Sequence, residues 1–416
     1  QPTPTQTPND TEYAGKTFDV QRIEVTGSTI LTETELNSIK SQFEGKRVSY
    51  EDLINNVENV ITQGYIEKGY ITSRADLLEE TLSTGVVVIR IIEGSIKNIE
   101  IQGTQRVSES YVRSRIQLGA GIPLNTANLE EQLRLLRTDP LFKNVEATLS
   151  ETGDPGQSNL TVRVSEAKPF EIIPTIDNYS PPSVGSERFG VSFRYRNLTG
   201  WGDEIFAAYT RTFAGGADIA DVSYRIPVNP MNGTVQLRAG FNRNQVIQRP
   251  FDKLDIRGES QLYEISYRQP FIRTTRQEFA LSFGFTFQDG QTFTFAGPTP
   301  FGFGPDEDGR SRTSVFKFGQ EYIYRQVSGA WALRSIFSFG TGLFDATANA
   351  DTIPDSHFFS WLAQVQRVQI LNERSFLIIQ GELQLTPDSL LPSQQFVIGG
   401  GQSVRGYRQN VRAGDN

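Results

Sequence analysis

The chain has 416 residues, enough for about two to four domains. It contains no cysteine and one histidine, which excludes disulfide frameworks, thiol nucleophiles, zinc–cysteine sites and metal sites that need several histidines. Its net charge of −8 argues against general binding to nucleic acid. No apolar run approaches the ~18–20 residues of a membrane-spanning helix, a test that does not apply to membrane strands.

The first part of the chain predicts a small α+β domain after a polar, proline-rich lead-in at residues 1–17. Residues 18–95 are expected to fold in the order β-α-α-β-β. The predicted elements are a strand and turn at 18–27, a short helix at 32–39, a second helix beginning at the Ser49/Asp52 cap, and strands at 71–78 and 86–92.

The same order then repeats over residues 96–167. The run Ile23-Glu24-Val25-Thr26-Gly27 returns as Ile99-Glu100-Ile101-Gln102-Gly103. A period of roughly 75 residues is too long for a solenoid unit and indicates two tandem domains. Such domains leave strand edges that can take up extended peptides. The alternative is that the two modules are only spacers.

From residue 168 onward the pattern changes to strict alternation. In one segment the apolar positions are Phe279, Leu281, Phe283, Phe285 and Phe287, and the positions between them are Ala280, Ser282, Gly284, Thr286 and Gln288. Alternation over about ten residues is typical of a strand with one apolar and one polar side, and ten residues can cross a bilayer at a tilt.

About eleven such strands are predicted: near 169–179, 186–197, 203–213, 217–228, 234–244, 258–269, 277–288, 312–325, 330–340, 357–371 and 374–386. Short connections alternate with long ones, which indicates an outer-membrane β-barrel. A soluble β-sandwich is the alternative, but it would not require aromatic residues on so many outward faces. Because such barrels close all their edges, further strands are expected beyond residue 416.

A glycine-rich stretch near residue 400 stands out. Gly399, Gly400 and Gly401 are followed by Val404-Arg405-Gly406-Tyr407, which places a permanent positive charge beside an aromatic ring on a bendable loop. A surface hairpin is the simplest alternative. A nucleotide-binding loop fits poorly, because Tyr407 stands where its lysine should be.

Several runs, taken in order, resemble one family: the outer-membrane transporters of two-partner secretion (TpsB type, haemolysin secretion/activation proteins), within the superfamily of barrel-assembly factors. The runs are Gly64 to Ala75, Ile91-Ile92-Glu93-Gly94, Pro169-Phe170 through Asp177-Asn178-Tyr179, Asn197 to Asp203, and Phe396 to Tyr407. Each run is weak alone, but their order along the chain makes the resemblance specific.

The resemblance implies two POTRA domains, at 18–95 and 96–167, in front of a transmembrane barrel that begins at residue 168. It implies sixteen strands, of which this chain carries about eleven and ends in the Val404–Tyr407 loop. The implied activity is passage of an unfolded exoprotein (TpsA type) from the periplasm through an outer-membrane pore. Neither catalysis, nucleotide, cofactor nor metal is implied, and the expected contacts are the exoprotein and outer-membrane lipid, with the transporter a monomer.

The resemblance also implies roles for individual residues. Arg405 is expected to pair with an acidic group inside the barrel, Tyr407 to hold the loop with Val404 beside it, and Gly400, Gly401 and Gly406 to let it bend. Tyr70, Thr72 and Arg74 are candidates for binding the exoprotein. Many family members carry an N-terminal plug helix, whereas residues 1–16 have no apolar face and do not match it.

Other functions stay open at this point. An assembly factor that inserts other barrels would usually carry more POTRA domains, and a porin or receptor would not need them. A barrel lipase would have to rely on His357, which is more simply a residue at a strand edge or in a loop. Asp306-Glu307-Asp308-Gly309 lacks the spacing of a calcium loop and is expected to be a solvated loop tip.

Overall fold

A computed structural model describes residues 13, 15–350, 353–401, 403–404, 406–410 and 412–415. The predicted lead-in and the plug region fall mostly on residues 1–12 and 14, and these lie outside the described residues, as does Arg405. The chain divides into two compact units, Gln1–Gln105 with Val112–Glu166 and Arg106–Tyr111 with Ala167–Asn416. In the part of the chain that the structure describes, no helix is long and apolar enough to cross a membrane.

The first module contains a three-stranded sheet and a separate two-stranded ribbon. Its elements are β1 (Thr17–Val20), β2 (Arg22–Thr26), α1 (Glu33–Lys40), β3 (Lys46–Ser49), α2 (Tyr50–Leu53), α3 (Asn59–Glu67), β4 (Arg74–Leu77) and β5 (Val86–Ile92). The sheet order is β2-β5-β4, with β2 parallel to β5, and β1 pairs with β3. The single strand predicted at 18–27 is therefore two strands in different sheets, and the one predicted at 71–78 is shorter.

Caps fix where the helices of this module begin. Thr32 and Glu35 form a capping box at the start of α1. Hydrogen bonds from Lys68 and then from Thr32 lower the pKa of Glu35 to about 2. Ser49 accepts a hydrogen bond from the backbone of Asp52 and so begins α2, as its sequence position predicted.

The core of the first module is built on one helical face. Leu53, Val57, Ile61 and Tyr65 are all buried and are spaced four residues apart. Four residues exceed one α-helical turn of 3.6, so this row drifts around a regular helix. The π-helical turn Ile54–Glu58, which joins α2 to α3, is wider and takes up part of the drift.

The second module repeats the architecture. Its elements are β6 (Ser95–Gln102), α4 (Glu109–Gln117), α5 (Thr126–Arg137), β7 (Phe142–Glu151) and β8 (Gln157–Glu166). The sheet order is β6-β8-β7, with β6 parallel and β7 antiparallel to β8. The predicted β-α-α-β-β order is confirmed in the second module, and in the first module it is confirmed with the ribbon of β1 and β3 added.

The second unit is an antiparallel sheet of 12 strands in which successive strands pair. The strands are β9 (Phe170–Asp177), β10 (Arg188–Arg196), β11 (Glu204–Thr212), β12 (Ala217–Pro227), β13 (Thr234–Gln245), β14 (Arg257–Arg273), β15 (Gln277–Thr294), β16 (Gly297–Pro298), β17 (Arg310–Gln326), β18 (Gly329–Thr341), β19 (Phe359–Asn372) and β20 (Ser375–Leu385). Short β16 pairs only with β15. The eleven predicted strands are all present, several of them longer than predicted at the long-loop end.

The sheet has an apolar face and a polar face. The apolar face is the one that carries Phe283 and Phe285, whose rings lie 5.9 and 5.0 Å from Phe316. These side chains lie on the outside of this face, where Phe283 is 56% exposed. The opposite, polar face carries Arg194 and Glu171, which are paired across β9 and β10. Exposed aromatic rings over so large a face require an apolar surrounding.

The apolar face becomes charged near the long loops, and the boundary moves across the sheet. Going along this face toward the long loops, the first charged residue is Arg211 on β11 and Arg243 on β13. Both pair in register with Asp218 on β12, so the three residues lie in one row across the sheet. On β15 the first is Asp289, two residues nearer the short turns than that row. The surface of a membrane meets tilted strands at register positions that shift across a sheet, and the step at β15 fits this geometry.

Candidate functional site

The first cluster of charges on the polar face lies near the short turns. Glu171 accepts hydrogen bonds from Arg194 at 3.2 Å and from Arg196 at 3.0 Å. Glu204 lies 3.4 Å from Arg194 Nε and 3.3 Å from Arg196 Nε. Arg225 reaches Glu204 at 3.1 Å from the next strand. Every charge in the cluster has a partner of opposite sign, so the face offers alternating charge rather than one sign.

A second cluster repeats this arrangement on β14, β15, β17 and β18. Arg268 binds Glu321 at 2.8 Å and Glu278 at 2.5 Å. Arg334 lies 3.5 Å from Glu321. A polar surface of paired charges is well hydrated and has no strong preference for the charge of a passing chain.

The segment that follows β20 folds back onto the polar face. Gln394 Nε2 donates to Thr313 Oγ1 on β17 at 3.3 Å. Gln384 Nε2 donates to the carbonyl of Asp415 at 3.0 Å. Leu390 packs with Val315, also on the polar face of β17, and with Phe358. The chain thus returns along the side of the sheet that carries the charges.

The glycine-rich stretch forms the tip of this returning segment. Strands β21 (Phe396–Ile398) and β22 (Arg412–Gly414) pair antiparallel on either side of it. Gly400 and Gly406 have φ of +99° and +92°, a region that side chains rarely adopt. Gly401 has a different reason, because a Cβ there would lie 2.5 Å from the ring of Tyr179.

The other described residues of this loop motif, Val404 and Tyr407, are exposed. Val404 is 43% exposed and Tyr407 is 65% exposed. The backbone N–H of Tyr407 donates to the carbonyl of Val404 at 3.4 Å. The roles expected for Tyr407 and Arg405 in holding the loop stay predictions.

A groove of about 500 Å³ runs between the two modules of the first unit. Ile66 and Ile71 of the first module and Leu149 of the second are its exposed apolar side chains. The candidate residues Thr72 and Arg74 also line it. Tyr70 does not, because it packs against the core of the first module with its ring 6.1 Å from that of Tyr65.

The run from Gly64 to Ala75 also builds the junction between the modules. The backbone N–H of Gly94 donates to Ser73 Oγ at 2.9 Å, and a Cβ at Gly94 would lie 2.0 Å from Thr72 Oγ1. Thr126, at the start of α5, donates through its backbone to the carbonyl of Gly69 at 3.1 Å. These contacts fix the groove, because they hold its two sides together.

Both edges of the first module's sheet are covered. On β4, the outward N–H groups of Ala75 and Leu77 donate to Thr62 Oγ1 at 2.9 Å and to Glu58 Oε2 at 3.0 Å. On β2, the N–H of Ile23 donates to Glu44 Oε1 at 2.8 Å. Side chains thus occupy the positions at which another strand would pair.

The edge strand β7 of the second module is open, and its end from Leu149 onward lines the groove. The carbonyl of Val145 points away from β8 and accepts from Arg137 Nε at 2.9 Å. Backbone groups alternate along an antiparallel strand, so those of Ala147 and Leu149 also point outward. Within the described residues, neither has a hydrogen-bond partner on that side. The sequence predicted open strand edges in these modules but did not identify this one, although Leu149 is the kind of exposed apolar residue that marks an edge.

Tyr65, which belongs to the run from Gly64 to Ala75, is the centre of a hydrogen-bond network in the first module. Its hydroxyl donates to Glu93 Oε1 at 2.8 Å and contacts Ser28 Oγ at 2.9 Å. Glu93 in turn accepts from the backbone of Thr29 at 2.7 Å. Burial, reinforced by the bond to Glu93, raises the pKa of Tyr65 to about 12.

We expect this network to make the first module sensitive to alkali. Because the pKa of Tyr65 is raised from 10.0 to about 12, its contribution to stability is complete below pH 10 and is lost as the pH rises through 12. Tyr65→Phe should cost about 1–3 kcal/mol at neutral pH, because it removes the hydrogen bond from the Tyr65 hydroxyl to the Glu93 carboxylate, which keeps only its bonds from Thr29. Urea unfolding of fragment 18–168 between pH 7 and 12 measures both effects. If the free energy of unfolding falls equally steeply with pH above pH 10 in the unmodified fragment and in Tyr65→Phe, this assignment is contradicted.

Comparison with known families gives three matches along the chain. The sequence model of the haemolysin secretion/activation proteins ShlB/FhaC/HecB matches residues 156–416. A POTRA domain of ShlB type matches residues 18–94, and a POTRA domain described as a surface antigen variable number repeat matches residues 95–167. Together the three matches cover the chain from residue 18 onward.

Individual proteins are similar over nearly the whole chain. The outer membrane transporter CdiB of Escherichia coli O6:K15:H31 (strain 536 / UPEC) is 24% identical over 97% of this chain and 68% of its own length. The heme/hemopexin transporter protein HuxB of Haemophilus influenzae (strain 86-028NP) is 24% identical over 95% of this chain and 69% of its own length. The solved structure of CdiB from Escherichia coli aligns with a TM-score of 0.73 at 22% identity, over 98% of this chain and 75% of that one.

Proposed function

The chain belongs to the haemolysin secretion/activation protein family ShlB/FhaC/HecB, and on this basis we propose that it captures one unfolded exoprotein in the periplasm and conducts it through the outer membrane. The sheet of the second unit lies in the outer membrane and the POTRA modules lie in the periplasm. The proposal concerns the steps in between, namely capture, passage and release.

The observation that carries the proposal is the open edge of β7 beside a groove of mixed polarity that exposes three apolar side chains. An unfolded exoprotein offers extended segments with free backbone groups, and such segments add to a sheet edge by forming main-chain hydrogen bonds. Ala147 and Leu149 offer the outward groups, while Ile66 and Ile71 lie across the groove to receive apolar side chains. Arg74 contributes a polar contact in the same groove, whereas Thr72 lines it with its hydroxyl buried.

Passage through the pore needs no catalysis in this proposal. Alternating charges on the polar face, such as Glu204 between Arg194 and Arg196, keep the pathway wet without holding a chain of one charge. Folding of the exoprotein outside gives direction, because domains gain ~5–15 kcal/mol on folding and a folded segment cannot slide back.

His357 is engaged with Asp355, to which its backbone N–H donates at 2.7 Å.

The remaining parts of the proposal concern assembly. The chain works as a monomer in contact with outer-membrane lipid through its apolar face. Its pore uses neither nucleotide, cofactor nor metal. The barrel of this proposal has sixteen strands, and the two POTRA domains span 18–95 and 96–167.

An experiment with the periplasmic part distinguishes secretion from barrel assembly. Immobilised fragment 18–168 is exposed to unfolded secreted proteins and, separately, to unfolded barrel precursors from the source cell. Secretion predicts capture of one large exoprotein through its N-terminal domain. Capture of many barrel precursors through their last strands would instead support an assembly factor. Capture of neither would overturn the proposed role of the groove.

A further inference from the structure

Arg367 is a charged residue in an apolar position. Register places it on the apolar face of β19, opposite Trp331 of β18 and Ile379 of β20. It lies near the short-turn end of the sheet, since Trp331 is two residues from the start of β18. A charge at this level of a membrane-facing surface lies near the lipid headgroups, whose anionic groups can neutralise it.

The protein orients this guanidinium but does not neutralise it. Its carbon Cζ lies 5.1 Å from the centre of the Trp331 ring, and its Nη2 donates to Gln369 Oε1. Its Nη1 is buried without an acceptor. Among the described residues around it on this face, Trp331, Ile379, Val365 and Gln369, none is acidic.

The other arginines on the apolar face are different. They lie near the long loops, beyond the aromatic residues, and each has a carboxylate partner. Arg243, for example, lies 3.1 Å from Glu259. The absence of an acidic partner at Arg367 is therefore not a general feature of charges on this face.

We propose that Arg367, Trp331 and Gln369 form a binding site for the phosphate of a phospholipid headgroup in the periplasmic leaflet. The lipid tails would lie along Ile379 and Leu383, which are exposed on β20 and run from the level of Arg367 away from the short turn. Trp331 supplies the flat surface that holds the guanidinium, and Gln369 fixes its plane. Arginine presents several donors to a phosphate, which a single ammonium group cannot match.

The test compares lipid binding by the full protein, purified in detergent and stripped of lipid. Phosphatidylglycerol is titrated in, and binding is followed by native mass spectrometry and by the rise in melting temperature. Monoacylglycerol, which has a tail but no phosphate, and inorganic phosphate, which has no tail, serve as separate probes. We expect Arg367→Met to bind phosphatidylglycerol at least tenfold more weakly, and the control Arg243→Met to bind it like the unmodified protein.

Each outcome decides the matter. Equal binding by Arg367→Met and the unmodified protein overturns the site. If monoacylglycerol binds and raises the melting temperature as much as phosphatidylglycerol does, the site recognises only the tail. If inorganic phosphate does so, the site binds free anions. Either result also overturns the proposal. If Arg367→Met does not fold, Arg367→Lys keeps the charge without the planar fork, and we expect about threefold weaker binding; unchanged binding by that variant contradicts the proposal.

Discussion

Replacing Ala147 and Leu149 by proline is expected to weaken capture of the exoprotein strongly while both modules stay folded. The outward N–H groups of these residues are the free donors along the groove edge of β7. Proline removes these donors, and its ring blocks the approach of another strand. An edge strand tolerates it where the N–H faces solvent, so the pairing of β7 with β8 should survive.

The size of this effect follows from the hydrogen bonds lost. Two backbone bonds at about 0.5–1.5 kcal/mol each correspond to a roughly 5- to 150-fold rise in Kd. Binding of the exoprotein's N-terminal domain to fragment 18–168, measured by calorimetry, gives this ratio, and circular dichroism checks the fold.

Two matched variants separate the contributions of backbone and side chain. Ala147→Ser keeps the backbone donor and should bind like the unmodified fragment. Leu149→Thr keeps the donor but removes apolar contact with the groove, so we expect an intermediate loss. Tight binding by the double proline variant would show that the exoprotein does not pair with β7.

The sheet was predictable because a strand's two faces are read directly from sequence. Phe283 and Phe285 alternate with Ser282 and Gly284, and this pattern fixes both the strand and its apolar side without knowledge of its neighbours. The split of the first strand into β1 and β2 could not be seen in this way. It depends on the pairing of Thr17 with Ser49, a contact across more than thirty residues.

The groove was predictable only in part. Thr72 and Arg74 belong to a recognisable run, and the structure brings both into the groove. Tyr70, from the same run, instead packs against the core, because its backbone N–H bonds to the carbonyl of Tyr65 at 2.9 Å. Which sheet edges are free depends on long-range caps such as Glu58 on Leu77, and local patterns carry no sign of these caps.

The returning segment is held on the polar face by two leucines. Leu390 and Leu391 are 1% and 0% exposed. Leu390 packs on Val315 of the sheet and on Phe358, and its backbone N–H donates to Asp415 Oδ1 at 3.2 Å. Leu391 lies against the loop between β16 and β17, so closely that a Cβ at Gly304 would be 2.4 Å from its Cδ2. These contacts join the segment to the long-loop end of the sheet.

Leu391→Ala is therefore expected to loosen the segment and increase the conductance of the pore without preventing insertion. A buried leucine truncated to alanine loses about 2–5 kcal/mol of packing, whereas the hydrogen bonds between the sheet strands are untouched. Single-channel recording in planar bilayers measures the fraction of time for which the pore is open. This fraction should rise more than tenfold, and the mean conductance should rise with it. Leu385→Ala, at an exposed apolar-face position on β20, is the matched control and should behave like the unmodified protein. If Leu391→Ala conducts as that control does, the returning segment is not what restricts the pore, and its restraint must come from elsewhere in the loop.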